Sequence, residues 1–278
     1  PIADQRFQLS ERIVHRYQDR VLLLVNDTCA MYCRHCFRRY FTNTQRGEIS
    51  DVELENACAY LQSNPQIREV LLSGGDPCML SDRRLIQIIS RIRQSRQDLL
   101  IRLSTRIPVV DPERVSKKFI QQLSRFNGVW LIIQVNHPIE LSKKTIKVIK
   151  SFLKAGIPVA NQAVLLKGVN DDINTLVELS EKLVYNGIRP YYLFQADLAQ
   201  GTRHFRVNLE KAVKLYAKLS ELVSNFHLPI FAVDLPNQEG KIILESKCIQ
   251  GKTLIDNVEW YVIKGRQNKD YLYPCENG

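Results

Sequence analysis

Three observations predict an α/β fold built on parallel strands. Short β-branched or aliphatic runs alternate with amphipathic stretches of helical period along most of the 278 residues. The runs are apolar throughout, as in Val21-Leu22-Leu23-Leu24-Val25, which suits strands buried on both faces. The chemically unusual residues follow the runs directly, at the carboxyl ends where parallel α/β folds place their chemistry.

Strands are expected at 21–25, 70–73, 99–104, 130–135, 158–164 and 190–194. Helices are expected at 51–63, 82–94, 112–126, 140–155, 172–186 and 208–224. Strand–helix alternation of this kind describes parallel βα units. Six units are too few for a complete eight-fold barrel, so a partial barrel or an open sheet is expected. From Phe231 onward the pattern changes to short strands and turns, which predicts an appendage on the main body. The residues that follow the strands are Cys29 to Cys36, Ser73-Gly74-Gly75-Asp76, Thr105-Arg106, Asn136-His137 and Asp197.

Composition narrows the class. With 45% hydrophobic and 24% charged residues, the chain is neither disordered, collagen-like nor a coiled coil. No apolar run approaches the roughly 20 residues that span a bilayer, and Pro1 to Ser10 contain no signal-peptide core. A cytoplasmic protein without membrane contact is expected, and the absence of a leading Met suggests a piece of a longer chain. The net charge of +10 alone would suit a nucleic-acid module. No aromatic-rich basic strand accompanies that charge, and it explains neither Asp76 nor the cysteines. Nucleic acid is therefore not the expected partner.

Seven cysteines without a secretory signal argue against a disulfide framework. Cys29, Cys33 and Cys36 are spaced C-x3-C-x2-C. Thiolates bind iron–sulfur clusters or zinc, and a cubane cluster normally takes four. Three in one loop leave one iron open to a substrate. The competing assignment is a zinc site completed by His35 or a distant Cys, but zinc ligands usually come as two separated pairs and the second pair is missing.

The cysteine loop after the first strand of a six-fold βα pattern resembles the radical S-adenosylmethionine (SAM) superfamily. Further stretches resemble the lysine 2,3-aminomutase family: His15 to Val21, Cys33-Arg34-His35-Cys36-Phe37-Arg38-Arg39, Leu72-Ser73-Gly74-Gly75-Asp76 and Pro190-Tyr191-Tyr192-Leu193. The resemblance is nearly collinear from about Arg12 to Lys241. It implies a partial (βα)6 TIM-like barrel of the radical SAM type over 21–227, an N-terminal segment 1–20 with cofactor contacts, and a C-terminal segment 228–278.

The resemblance also implies a set of site residues. Cys29, Cys33 and Cys36 would hold a [4Fe–4S] cluster whose open iron chelates S-adenosylmethionine. Ser73, Gly74, Gly75 and Asp76 would meet the methionine amino group, Gln162 the ribose, and Gln134 the methionine carboxylate, in place of the family's His. Pyridoxal 5′-phosphate would form a Schiff base with Lys241 and hold its phosphate on Arg16 and Arg20. Asn237-Gln238-Glu239 replaces three family glycines before that lysine. Arg38 would clamp the substrate carboxylate, and Asp197 and Asp234 the side-chain ammonium of lysine.

The implied activity is conversion of L-lysine to β-lysine by 2,3-amino migration, an isomerase reaction. The alternatives are a β-lysine-forming enzyme serving elongation factor P modification, or a radical SAM enzyme acting on another amino acid or on RNA. A small amino-acid substrate and a flavodoxin or ferredoxin reductant are the implied partners. Asp172 stands where longer relatives carry a zinc-ligating Cys, so no zinc is expected, and self-association is left open.

Overall fold

The structure is a computed structural model that describes residues 7–42, 44–235, 240–265 and 269–275. Asn237, Gln238 and Glu239 lie outside the described residues. The strands are β1 (Ile13–Tyr17), β2 (Arg20–Asn26), β3 (Glu69–Gly74), β4 (Leu100–Thr105), β5 (Val129–Ile133), β6 (Val159–Leu165), β7 (Arg189–Gln195), β8 (Ile230–Asp234), β9 (Lys241–Ile243), β10 (Ile249–Ile255), β11 (Val258–Lys264) and β12 (Asp270–Pro274). The helices are α1 (Asp51–Ser63), α2 (Asp82–Ser95), α3 (Ile107–Val110), α4 (Lys117–Leu123), α5 (Lys143–Lys154), α6 (Ile173–Tyr185) and α7 (Leu209–Leu222).

Among the described residues, β1 to β9 form one nine-stranded sheet in sequence order. Strands β2 to β8 pair in parallel, and antiparallel strands flank them at both edges. This is the expected partial barrel. Among the described residues, six of the seven helices, all but α3, are started by a cap side chain that accepts from open backbone donors. Ser50 and Glu53 form a reciprocal cap on α1. Asp172, at the position compared with a zinc-ligating Cys, caps α6 by accepting from the Thr175 N–H.

Several expectations shift for local reasons. The helix expected over 112–126 divides into a short turn, Pro112–Arg114, and α4, because Ser116 accepts from the Phe119 N–H and starts a new helix. The helix expected from 140 begins at Lys143, after the Ser142 cap. An unexpected strand, β1, precedes β2 as a hairpin closed by the Tyr17–Arg20 pairing. The segment expected as an appendage also splits. β8 and β9 join the main sheet through pairing with β7 and with each other, and β10 to β12 alone form a separate antiparallel sheet.

β1 and β9 are the two ends of the large sheet, and side chains bridge them. The Tyr17 hydroxyl accepts from the Lys241 backbone N–H at 3.1 Å, and Arg16 pairs with Asp234 of β8 at 3.3 Å with both side chains at least nine-tenths buried. At the carboxyl ends of β5 and β6, where the ladder stops, buried asparagines replace it. Asn161 accepts from the Val135 N–H and donates to its carbonyl, while Asn136 accepts from the Val164 N–H. Asn170 donates to the Asn136 and Val164 carbonyls.

Replacing Asn161 by Leu strands both Val135 backbone groups in the core. Each buried group left unpaired costs about 1–3 kcal/mol. Urea denaturation is expected to show a loss of at least that size, and an unchanged midpoint would contradict the role given to the amide.

Candidate functional site

The carboxyl ends of the strands open into a cavity of about 450 Å³. A second, of about 240 Å³, lies deeper in the lumen and shares Leu22, Arg38, Gln162, Asp234 and Lys241 as walls. Together they run from the cysteine loop to the β1–β2 hairpin.

The loop after β2 is shaped by buried polar groups. The Asn26 amide donates to the Thr28 and Asp76 carbonyls. Asp27 accepts from the N–H groups of Thr44 and Arg46. Arg12, 3% exposed, ties the returning chain down through the carbonyls of Arg46, Gly47 and Glu48. Between these anchors Cys29, Cys33 and Cys36 face the upper cavity as free thiols. Burial, with Asp76 and the other two thiols adding to it, pushes Cys29 up to about 12, and burial also raises Cys36. A bound metal ion reverses that preference, because its charge stabilises the thiolate. Among the described residues no three His, Cys, Asp or Glu side chains converge on a single ion. Three thiols from one loop that line one cavity fit a multi-iron cluster, which takes one thiolate at each corner.

Opposite the loop, β3 ends in Ser73-Gly74-Gly75-Asp76. A Cβ on Gly75 would stand 2.4 Å from the Thr28 carbonyl oxygen, and Gly74 has φ +112° with the Asn26 carbonyl equally close. Only glycine lets the two backbones approach. Asp76 is turned into the protein, where it accepts from the Thr105 hydroxyl at 2.6 Å and from the Arg106 and Cys78 N–H groups. It braces β3 against β4 while lining the cavity. Gln134 also lines this cavity, 3.1 Å from His35 Nε2. Burial lowers the His35 pKa to about 4, helped by Arg106 and Arg39, so the ring is neutral.

Deeper in the lumen, Lys241 extends over the Phe194 ring, its Nζ 4.4 Å from the centroid. Burial lowers its pKa, Asp234 and Asp197 oppose the shift, and Arg102 and Arg20 reinforce it. A depressed lysine supplies the neutral amine that an aldehyde needs. Asp197 and Asp234 both line the upper cavity with Lys241. The deeper cavity carries Arg16, Arg20 and Arg102. Arg20 stacks on Tyr17 at 4.3 Å, and Arg102 is held by Glu69 at 2.8 Å and the Tyr191 hydroxyl at 3.2 Å. Among the described residues, the buried Nε atoms of Arg16 and Arg102 have no hydrogen-bond partner. A lysine in reach of an arginine-lined end fits an aldehyde cofactor with a phosphate tail.

The residues expected to form the site thus line one or other of two adjoining cavities that share walls. Sequence reasoning missed Arg12, Arg102 and Glu140. The partners of Arg12 and Arg102 lie far along the chain, whereas Glu140 also accepts from the nearby Asn136 and His137 N–H groups as part of a reciprocal cap.

The radical SAM superfamily model matches residues 23–180. An L-lysine 2,3-aminomutase of Methanococcus maripaludis is 41% identical over 83% of this chain, which spans 53% of that enzyme's length. A putative L-lysine 2,3-aminomutase of Treponema pallidum is 38% identical over 99% of this chain and 78% of its own. The chain belongs to the lysine 2,3-aminomutase family of the radical SAM superfamily. The fold agrees: a radical SAM methyltransferase from Sphaerobacter thermophilus superposes with a TM-score of 0.58 at 17% identity, covering 80% of this chain and 68% of its own. Membership in the radical SAM superfamily implies a [4Fe–4S] cluster and S-adenosylmethionine as cofactors. Among the described residues, no helix is long and apolar enough to cross a membrane.

Two outcomes test this geometry. Gly75→Ala forces backbone apart and is expected to destabilise by about 1–3 kcal/mol or more, read as a lowered urea midpoint; a neutral substitution would contradict the close approach. In Asp234→Asn, loss of the carboxylate removes a stabiliser of the Lys241 ammonium, so its pKa falls further. NMR titration of protein dimethylated at Lys241 with carbon-13 should place the wild-type midpoint below that of an ordinary lysine and the variant lower still. A variant midpoint above wild type would contradict the electrostatics.

Proposed function

We propose that this chain carries the catalytic core of an aminomutase that moves the 2-amino group of L-lysine to carbon 3. The observation that carries the proposal is the placement of Lys241, Asp197, Asp234, Arg38 and the three thiols around one lumen. When bound, the cluster and S-adenosylmethionine supply a 5′-deoxyadenosyl radical, and pyridoxal phosphate supplies an electron-delocalising π system.

The residues divide the work of holding these groups. Cys29, Cys33 and Cys36 would ligate the cluster. The backbone of Ser73, Gly74 and Gly75 would lie against the methionine amino group. Because Asp76 already accepts three protein donors, its main contribution would be to fix that turn. Gln162 would contact the ribose. Gln134 would approach the methionine carboxylate, presented by its contact with His35.

Lys241 would attach the pyridoxal, its amine kept neutral by burial. Arg16 and Arg20 would bind the phosphate. Arg38 would orient the substrate carboxylate, since a fixed guanidinium fork suits two oxygens. Asp197 and Asp234 would receive the substrate's side-chain ammonium, a desolvated cation that requires anionic partners. Without ligands Arg16 and Asp234 neutralise each other. A phosphate and an ammonium would each take one member, so the lumen keeps its charge balance when both ligands enter. A glutamate side chain would instead set a carboxylate against Asp197 and Asp234.

The test is anaerobic reconstitution with iron, sulfide, pyridoxal phosphate and S-adenosylmethionine, followed by reduction and addition of carbon-13 L-lysine. NMR is expected to show β-lysine. Asp197→Asn is expected to lose about 2–5 kcal/mol of substrate binding, a large rise in KM, through removal of one buried charge partner. Cleavage of S-adenosylmethionine with lysine untouched would overturn the substrate assignment and leave the radical chemistry standing.

A further inference from the structure

A charged pair at the carboxyl ends of β4 and β5 has no part in the account above. Arg106, the first residue after β4, reaches across to the cysteine loop. Its Nη1 lies 2.9 Å from Cys33 Sγ and 3.6 Å from Met31 Sδ. Its Nε donates to the Gln134 carbonyl at 3.3 Å. The remaining Nη2 pairs with Glu140 Oε2 at 2.5 Å, with the two side chains 15% and 20% exposed.

Glu140 is itself fixed. Its Oε1 accepts from the Asn136 and His137 N–H groups at 2.8 and 2.9 Å, and it ends the short turn Pro138–Glu140. A rigid carboxylate therefore holds a permanent cation against one particular thiol. A surface arginine steadied only by solvent would not keep one N–H aimed at a sulfur. Here all three guanidinium nitrogens have protein partners.

We propose that Arg106, aimed by Glu140, sets the reduction potential of the cluster through Cys33. The inference rests on the assignment of Cys33 as a cluster ligand. One-electron reduction adds a negative charge that spreads over iron and sulfur. An N–H···S bond from a cation stabilises the reduced state more than the oxidised one, which raises the potential. Glu140 acts in two ways: it orients the guanidinium, and its own charge partly offsets the effect. Arg106 is a positioning and tuning residue, separate from the groups that would touch the amino acid.

The experiment is an EPR-monitored redox titration of the reconstituted protein without S-adenosylmethionine, with iron and sulfide measured on every sample. If the wild type retains no cluster, the ligand assignment itself fails, which is a different result from an unaltered potential. With clusters retained, Arg106→Gln is expected to shift the midpoint potential negative, and Arg106→Lys to bring it back toward wild type. An unshifted Arg106→Gln variant overturns the proposal, and so does a shift that lysine fails to reverse. If Arg106→Gln loses its cluster, a second neutral variant, Arg106→Met, decides in its place. It removes the same charge and the same N–H···S bond, so the same negative shift is expected; an unshifted potential overturns the proposal.

Discussion

The sheet stops short of closing, and its two edges are joined by side chains where a complete barrel would use a ladder. That constraint governs the rest of the molecule. Tyr17 receives the backbone N–H of Lys241, and Arg16 meets Asp234 across the gap. A buried ion pair carries a desolvation cost that its own attraction barely repays, so it is a weak source of stability. It does leave two opposite charges facing a lumen wide enough for a ligand. The joint also directs the start of β9 inward, so that Lys241 lies over Phe194.

At the opposite end the strands diverge around the cysteine loop, and backbone groups that leave the ladder need other partners. Asn161, Asn136 and Asn170 supply them between β5 and β6. Asp76 does so between β3 and β4, and Asp27 within the cysteine loop. These side chains give hydrogen-bond partners to backbone groups where the sheet opens. The same groups fix the loop that presents the thiols, so fold and site share their supports. Glu140 and Arg106 extend that framework to a sulfur.

What could be read from sequence follows from range. The parallel strands and the helices between them are local patterns, and their places were legible to within a few residues. The cysteine spacing and the glycine pair are local too. β1 was not, because Ile13-Val14 is too short an apolar run to stand out and its pairing is decided by β2. The tail was misjudged for a related reason: β8 and β9 join the main sheet by pairing with β7 and with each other, and no periodicity within the segment encodes that. The resemblance pointed to Lys241 and Asp234. The ion pair between Arg16 and Asp234, 218 positions apart, had no sequence signal at all.

The central claim is that one lumen serves both the cluster and the pyridoxal, with Lys241 as the attachment point. Reconstituted protein treated with borohydride would fix the pyridoxyl group to its lysine, and peptide mass mapping would locate it. The account predicts the label on Lys241, with the Lys241→Ala variant unlabelled and still holding its iron and sulfide. A label on another lysine in protein whose cluster is intact would contradict it.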